Sequence, residues 1–456
     1  MDSVLYRDLE HWEELLKETL NAALNYLSGL EQRPPGLYYQ QAHFAPLPNH
    51  GAGGRAALHT FQNHYQQHLS GSSASRYLGY VTGGTTPAAL MGDWLTSVFD
   101  QNVASAGDSA ANEVEYEAIN MLKELFGLDE LFQGTFVSGA TMSSFVGLAI
   151  ARQWWGLQQG RDIAMDGFAE RPTVLSAKAH SSIYKALSML GVGRSAMEQL
   201  PSLPNREAID IQALKQKLES LNGTPAILVA NAGTVNTVDY DDFVAIAALK
   251  EEFPFWLHID AAFGGFAACS PLYQHWVAGW NAADSITIDL HKMLNVPYDA
   301  AIQLSKHTDL QKSVFQNSGA RYLDVASAQI PFVHLTPENS RRFRALPTWF
   351  SLKAYGKVGF QEIVERNAQL ASELGFWIDH HPAFELLAEV RFNVVCFALA
   401  KGQDTHQYLK RLTMAGQVFL TASEYQNQIC IRAAFSNWRT RTEDLAIIKA
   451  ALVAAL

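Results

Sequence analysis

Cysteine is scarce in this chain. Its three residues, Cys269, Cys396 and Cys430, stand far apart and odd in number, which supports neither a disulfide framework nor a zinc cluster. A reducing cytoplasm fits best, and no metal site is expected. Long hydrophobic runs are missing too. No stretch approaches the roughly 20 apolar residues that span a bilayer, and residues Met1 to Glu10 are acidic with no apolar core segment. Neither membrane insertion nor secretion is therefore expected. With a formal net charge of −11 and no long run of Lys or Arg, a nucleic-acid surface is not expected either, because phosphate binding needs clustered cations. Internal repeats and low-complexity tracts are also lacking. What remains is a chain of 456 residues, 48% hydrophobic, enough to bury a large core in two or three structural units.

Residues 3 to 30 carry Leu5, Leu9, Trp12, Leu16, Leu20, Leu24 and Leu27 at helical spacing with charges between them. This predicts an amphipathic helix in need of a partner, on its own domain or on another chain. Gly51 to Ala56 superficially matches a dinucleotide fingerprint, but proline and asparagine precede it where that motif requires a buried strand, and the reading is set aside. Further on, short apolar runs at Thr173 to Ser176, Ala226 to Ala230, Phe255 to Asp260, Asp284 to Asp289 and Ala300 to Leu304 are interspersed with helical stretches. The pattern predicts a mainly parallel sheet covered on both faces. A long helix from about Ser340 to His381, interrupted by Gly356, Gly359 and Gly375, then leads to a small C-terminal α+β domain. The expected units are residues 1–75, 76–345 and 346–456.

In an open α/β sheet, ligands bind at the C-terminal edge of the strands. The β-branched run from Asp284 delivers Lys292 to that edge, with Asp289 and His291 beside it. Taken alone, such a lysine reads as a surface cation. A second strand, Phe255 to Asp260, also ends there in an acid, followed by Ala261 and Ala262, which allow close backbone approach. A carboxylate and a lysine on two such ends suit pyridoxal 5'-phosphate: the lysine forms an imine with the aldehyde, and the aspartate pairs with the pyridinium nitrogen. The turn Gly134 to Ser144 is either an ordinary helix start or a place where backbone N–H groups converge on an anion. His180 follows another strand and is either a structural or exposed histidine or an imidazole that lies flat against a pyridine ring. Asn231 to Thr237, with Thr234, can hydrogen-bond ring substituents. Asn317 to Ser327 is either a surface linker or a mobile lid. Arg341, Arg342 and Arg344 read as ion-pair partners, and Arg432 as either a salt-bridged core arginine or a substrate ligand.

The set His258-Ile259-Asp260-Ala261-Ala262, His180 and His291-Lys292 resembles the group II pyridoxal-phosphate-dependent amino-acid decarboxylases, the group of the aromatic-amino-acid and glutamate enzymes. The resemblance implies an α/β protein of fold type I, aspartate-aminotransferase-like, with a mainly parallel sheet in the large domain and a small C-terminal α+β domain. It implies decarboxylation of an L-amino acid to the amine and carbon dioxide, with Lys292, Asp260, His180 and Tyr322 catalytic. Ala140 and Thr141 match its phosphate contacts, and the other cofactor contacts fall on His180, Thr234, Asp260, Ala262, Asp289, His291 and Lys292. Thr82 and Arg432 fall on substrate positions. Tyr322 matches a catalytic tyrosine on a flexible loop, and the N-terminal segment is expected to pack across a homodimer with shared active sites. Gly79 stands where the aromatic enzymes place a tyrosine, which turns the expectation toward an acidic or small polar substrate. The same lysine and aspartate serve an aminotransferase or an aldolase, and an inactive cofactor-binding scaffold is a third reading. Tyr322 favours decarboxylation.

Overall fold

The computed structural model describes residues 3–39, 46–104, 109–317, 330–400 and 402–456. Eleven strands fall within them: β1 (Gln133–Val137), β2 (Val174–Ser176), β3 (Met197–Gln199), β4 (Ala226–Asn231), β5 (Phe255–Asp260), β6 (Ser285–Asp289), β7 (Ala301–Ser305), β8 (Phe384–Leu386), β9 (Val394–Leu399), β10 (Thr421–Tyr425) and β11 (Gln428–Ala434). The first seven form one sheet in the order β1-β7-β6-β5-β4-β2-β3. Pairing is parallel from β3 through β6, and β7 runs antiparallel to both β6 and β1. The chain ends of β2, β4, β5 and β6 therefore share one edge. The short strand β3 was not expected from the sequence, because Met197-Glu198-Gln199 holds no apolar run.

Every residue of β4, β5, β6 and β7 is buried. Strands covered on both faces read as continuous apolar runs rather than alternating ones. Alternation reappears in what they touch: Ile227, Val229 and Trp256 join a cluster with Val146, Ile150 and Ile183, while Leu228, Ala230 and Leu257 join another with Leu214, Ile246 and Phe126. The first cluster is roofed by the helices Ala140–Gln158 and Ser181–Met189. The second is covered by Ile211–Ser220, Phe243–Glu252 and Ala111–Phe126.

The remaining strands form an antiparallel sheet, β10-β11-β9-β8. Its core gathers Leu370, Leu374, Phe397, Tyr408, Leu412, Ile431 and Ile448. Leu78 belongs to the same cluster: its N–H donates to the Phe419 carbonyl at 3.0 Å, and its own carbonyl accepts from Ala434 at 2.9 Å. Residues 77–84 thus start at this sheet and run toward the strand edge of the large one. The long helix Ala345–Asp379 is broken only at Gly356, with φ 57° and ψ −171°. Gly359 and Gly375 stay helical. At Gly375 Val390 packs where a side chain would be. The arginines ahead of this helix are ion-paired as expected: Arg341 with Glu115 at 2.7 Å, Arg342 with Asp93 at 2.8 Å and Arg344 with Asp299 at 2.9 Å.

At the N-terminus the predicted single helix is two, Val4–Glu10 and Trp12–Ser28, with no buried residue in either. The Gly-rich stretch starts the helix Gly54–His64 with no strand before it among the described residues. No helix among the described residues is long and apolar enough to cross a membrane.

Candidate active site

Strand β6 ends at Asp289, and the turn after it is fixed from three sides. Leu290 and His291 donate their N–H groups to the Ala300 carbonyl at 3.0 and 3.1 Å, and Gly83 N–H meets the His291 carbonyl at 3.2 Å. The third tie is Asn295, fully buried at a positive φ of 56°. Its amide oxygen accepts from Gly84 and Trp438 at 2.8 and 2.9 Å, and its NH₂ donates to the Met293 and Ser436 carbonyls at 2.8 and 3.0 Å. One side chain thereby joins the lysine turn to residues 83–84 and to 436–438. Sequence reasoning gave Asn295 no role; its one signal is that asparagine tolerates the left-handed region better than its neighbours Leu294 and Val296.

Lys292 Nζ lies 3.2 Å from Asp289 Oδ2 and 5.2 Å from the centre of the Phe263 ring. The other oxygen of Asp289 accepts the Ala140 N–H at 2.8 Å, so this carboxylate links the lysine to the first turn of the helix Ala140–Gln158. Gly139 offers that helix no side-chain cap. Its remaining free N–H groups are open donors for an anion. His291 Nδ1 accepts from the Ala300 N–H at 3.3 Å, which places the ring proton on Nε2, 3.5 Å from Asp289 Oδ2.

His180 caps the helix Ser181–Met189. Its Nδ1 accepts from the Ser182 N–H at 3.2 Å and meets Ser182 Oγ at 2.7 Å, leaving the proton on Nε2. Burial is the main cause that lowers its pKa below the ordinary value; Asp260 opposes this, while Lys292 and Arg432 add to it. Burial likewise lowers His291, against Asp289. Both rings are neutral near pH 7. Asp260 closes β5, 7% exposed, with one oxygen accepting from Ala262 N–H at 3.2 Å.

These groups line one cavity of about 640 Å³. It brings together Lys292, Asp260, His180, Ala140, Thr141, Thr234, Ala262, Asp289, His291, Thr82 and Arg432, every expected site residue except Tyr322. Tyr322 lies outside the described residues. Thr234 borders the cavity with its hydroxyl turned away, donating to Glu207 Oε2 at 2.6 Å. Arg432 is not the salt-bridged core arginine that the sequence left open. Its guanidinium donates to the Val235 and Gly79 carbonyls, its buried Nε has no partner among the described residues, and burial lowers its pKa. The wall around Gly79 is not bare: Phe419 occupies the space a side chain there would need, and Tyr77 and Tyr80 line the cavity. Tyr298 was also missed. Its phenol donates to Thr82 Oγ1 at 3.1 Å, and its ring lies 4.3 Å from that of His291.

A lysine, a strand-end carboxylate, a neutral imidazole able to stack and an uncapped helix start suit pyridoxal phosphate, whose aldehyde, ring nitrogen, ring face and phosphate need one each. Comparison with known proteins agrees. The pyridoxal-dependent decarboxylase conserved domain matches residues 65–400. An aromatic-L-amino-acid decarboxylase of Bacillus atrophaeus is 26% identical over 416 residues, 88% of this chain and 85% of that protein. An L-2,4-diaminobutyrate decarboxylase of Acinetobacter baumannii is 27% identical over 341 residues, 70% of this chain and 66% of that protein. The crystal structure of Oryza sativa TDC with PLP and tryptamine superposes with a TM-score of 0.90 at 19% identity, covering 98% of this chain and 97% of that one, which shows a shared fold. With the domain matched from residue 65 to residue 400, the chain belongs to the pyridoxal-phosphate-dependent amino-acid decarboxylases.

Proposed function

We propose that the protein converts an L-amino acid to its amine and carbon dioxide with pyridoxal phosphate held covalently by Lys292. The observation that carries this reading is the cavity itself, where Lys292, Asp260, His180 and the uncapped helix start converge. Bound, the cofactor supplies an electron sink for the pair left when the carboxylate departs. Asp260 keeps a proton on the ring nitrogen, because a nearby negative charge favours the charged form. His180, neutral and locked by Ser182, holds the ring plane. Thr141 offers its backbone N–H to the phosphate beside Ala140, whose own N–H is held by Asp289, and His291 Nε2–H is a further donor. Asp289 orients Lys292 for attachment and, later, for product release. Thr82 and Arg432 receive the substrate, and Tyr322, on the strength of the resemblance, returns a proton to the former α-carbon.

In this reading residues 76–345 carry the cofactor, residues 346–456 close over it and residues 1–75 meet a second copy in a homodimer. A cytoplasmic setting is supported by three free, buried cysteines. The test is incubation of the cofactor-loaded protein with pooled L-amino acids. Carbon dioxide and one new amine are expected; a keto acid without carbon dioxide, or no product from a protein that holds its cofactor, would contradict the reading.

A further inference from the structure

Among the described residues, three cationic side chains line the cavity, Lys178, Lys292 and Arg432, against two carboxylates, Asp260 and Asp289. Lys292 is paired with Asp289, and the reading above commits Asp260 to the cofactor ring. Arg432 has only carbonyl oxygens for partners among the described residues. Lys178 is exposed, has no hydrogen bond or ion pair among the described residues, and borders the cavity two positions before His180. Ser70, Ser72, Tyr77 and Tyr80 add hydroxyl donors to the same lining. A cavity with two cations lacking carboxylates and a surplus of donors is complementary to an anion.

Resting on the decarboxylase reading, we infer that Lys178 is a specificity-determining residue and that the preferred substrate carries a second carboxylate on its side chain. The cofactor phosphate has its own partners in the uncapped helix start beside Gly139 and in His291. The α-carboxylate is present in every amino acid and cannot account for selectivity. A side-chain carboxylate is the group left for Lys178 to meet.

The test compares isosteric pairs, L-glutamate with L-glutamine and L-aspartate with L-asparagine, on the cofactor-loaded protein. Binding is followed by the change in the cofactor's visible absorbance, and carbon dioxide is measured in the same samples. For at least one pair the acid should bind more tightly than its amide. Lys178→Met should reduce that preference by about tenfold, the scale of one charge-assisted contact, and Lys178→Arg should restore most of it. A wild-type protein without preference for the acid overturns the inference, as does a Met variant that weakens acid and amide equally. A Met variant that instead weakens pyridoxal phosphate itself about tenfold would assign Lys178 to the phosphate, which also overturns it. Selective, Lys178-dependent binding of the acid without carbon dioxide would uphold the inference and sink decarboxylation.

Discussion

His258 and Asp260 sit two apart on β5, on the same side of the strand, and only one of them borders the cavity. His258 lies under the helix Ala140–Gln158, where Gly147 leaves room for its ring, and meets Ser285 Oγ at 2.8 Å. Complete burial pushes its pKa down to about 4 from an ordinary 6.5, against a smaller opposing pull from Asp260. Below pH 6.5 the unfolded chain gains a proton that the folded chain refuses, so stability falls as pH drops toward 4. Relative to a His258→Gln variant, the wild type should lose about 3 kcal/mol between pH 7 and pH 4. Urea unfolding of both proteins at the two pH values measures this, and parallel pH curves would contradict it. At this scale Lys292 and Asp260 were legible in the sequence because each ends an apolar run. Asn295 and Tyr298 were not, since the partners through which they tie the site together, Gly84, Ser436 and Thr82, lie more than 100 residues away.

The elements that make the cavity meet at backbone distance. A side chain on Gly83 would run into the Lys292 carbonyl oxygen, and neither backbone has room to yield while Asn295 clamps both. Gly83→Ala should therefore destabilise the protein by about 1–3 kcal/mol, the usual cost of overpacking, and weaken pyridoxal phosphate binding by displacing the lysine turn. Thermal unfolding and a cofactor titration measure the two effects; wild-type values for both would mean that the turn is looser than its contacts imply. The strands around this turn were legible because each is a short run rich in β-branched and apolar residues alternating with helical stretches. The break at Gly356, and the absence of breaks at Gly359 and Gly375, were not legible. Glycine permits a kink without requiring one, and packing decides.

For the whole molecule, the open question is what covers its N-terminal helices. Trp12, Leu16, Leu20 and Leu24 follow one face of the helix Trp12–Ser28 at 62%, 55%, 40% and 53% exposure, and Leu5 and Leu9 extend the face along the preceding helix. A stripe of this length is stable in water when a second copy covers it. Light scattering should give twice the chain mass of 50.4 kDa, and Leu16→Glu with Leu20→Glu should shift it toward the monomer; a fully active wild-type monomer would contradict the dimer. The proposed chemistry rests on a single atom, Lys292 Nζ, and borohydride reduction of the cofactor-loaded protein tests that assignment most directly. After reduction, intact mass should show one cofactor per chain, and peptide mapping should place it on Lys292. Attachment at any other lysine, or none in a protein that still releases carbon dioxide, would contradict the account.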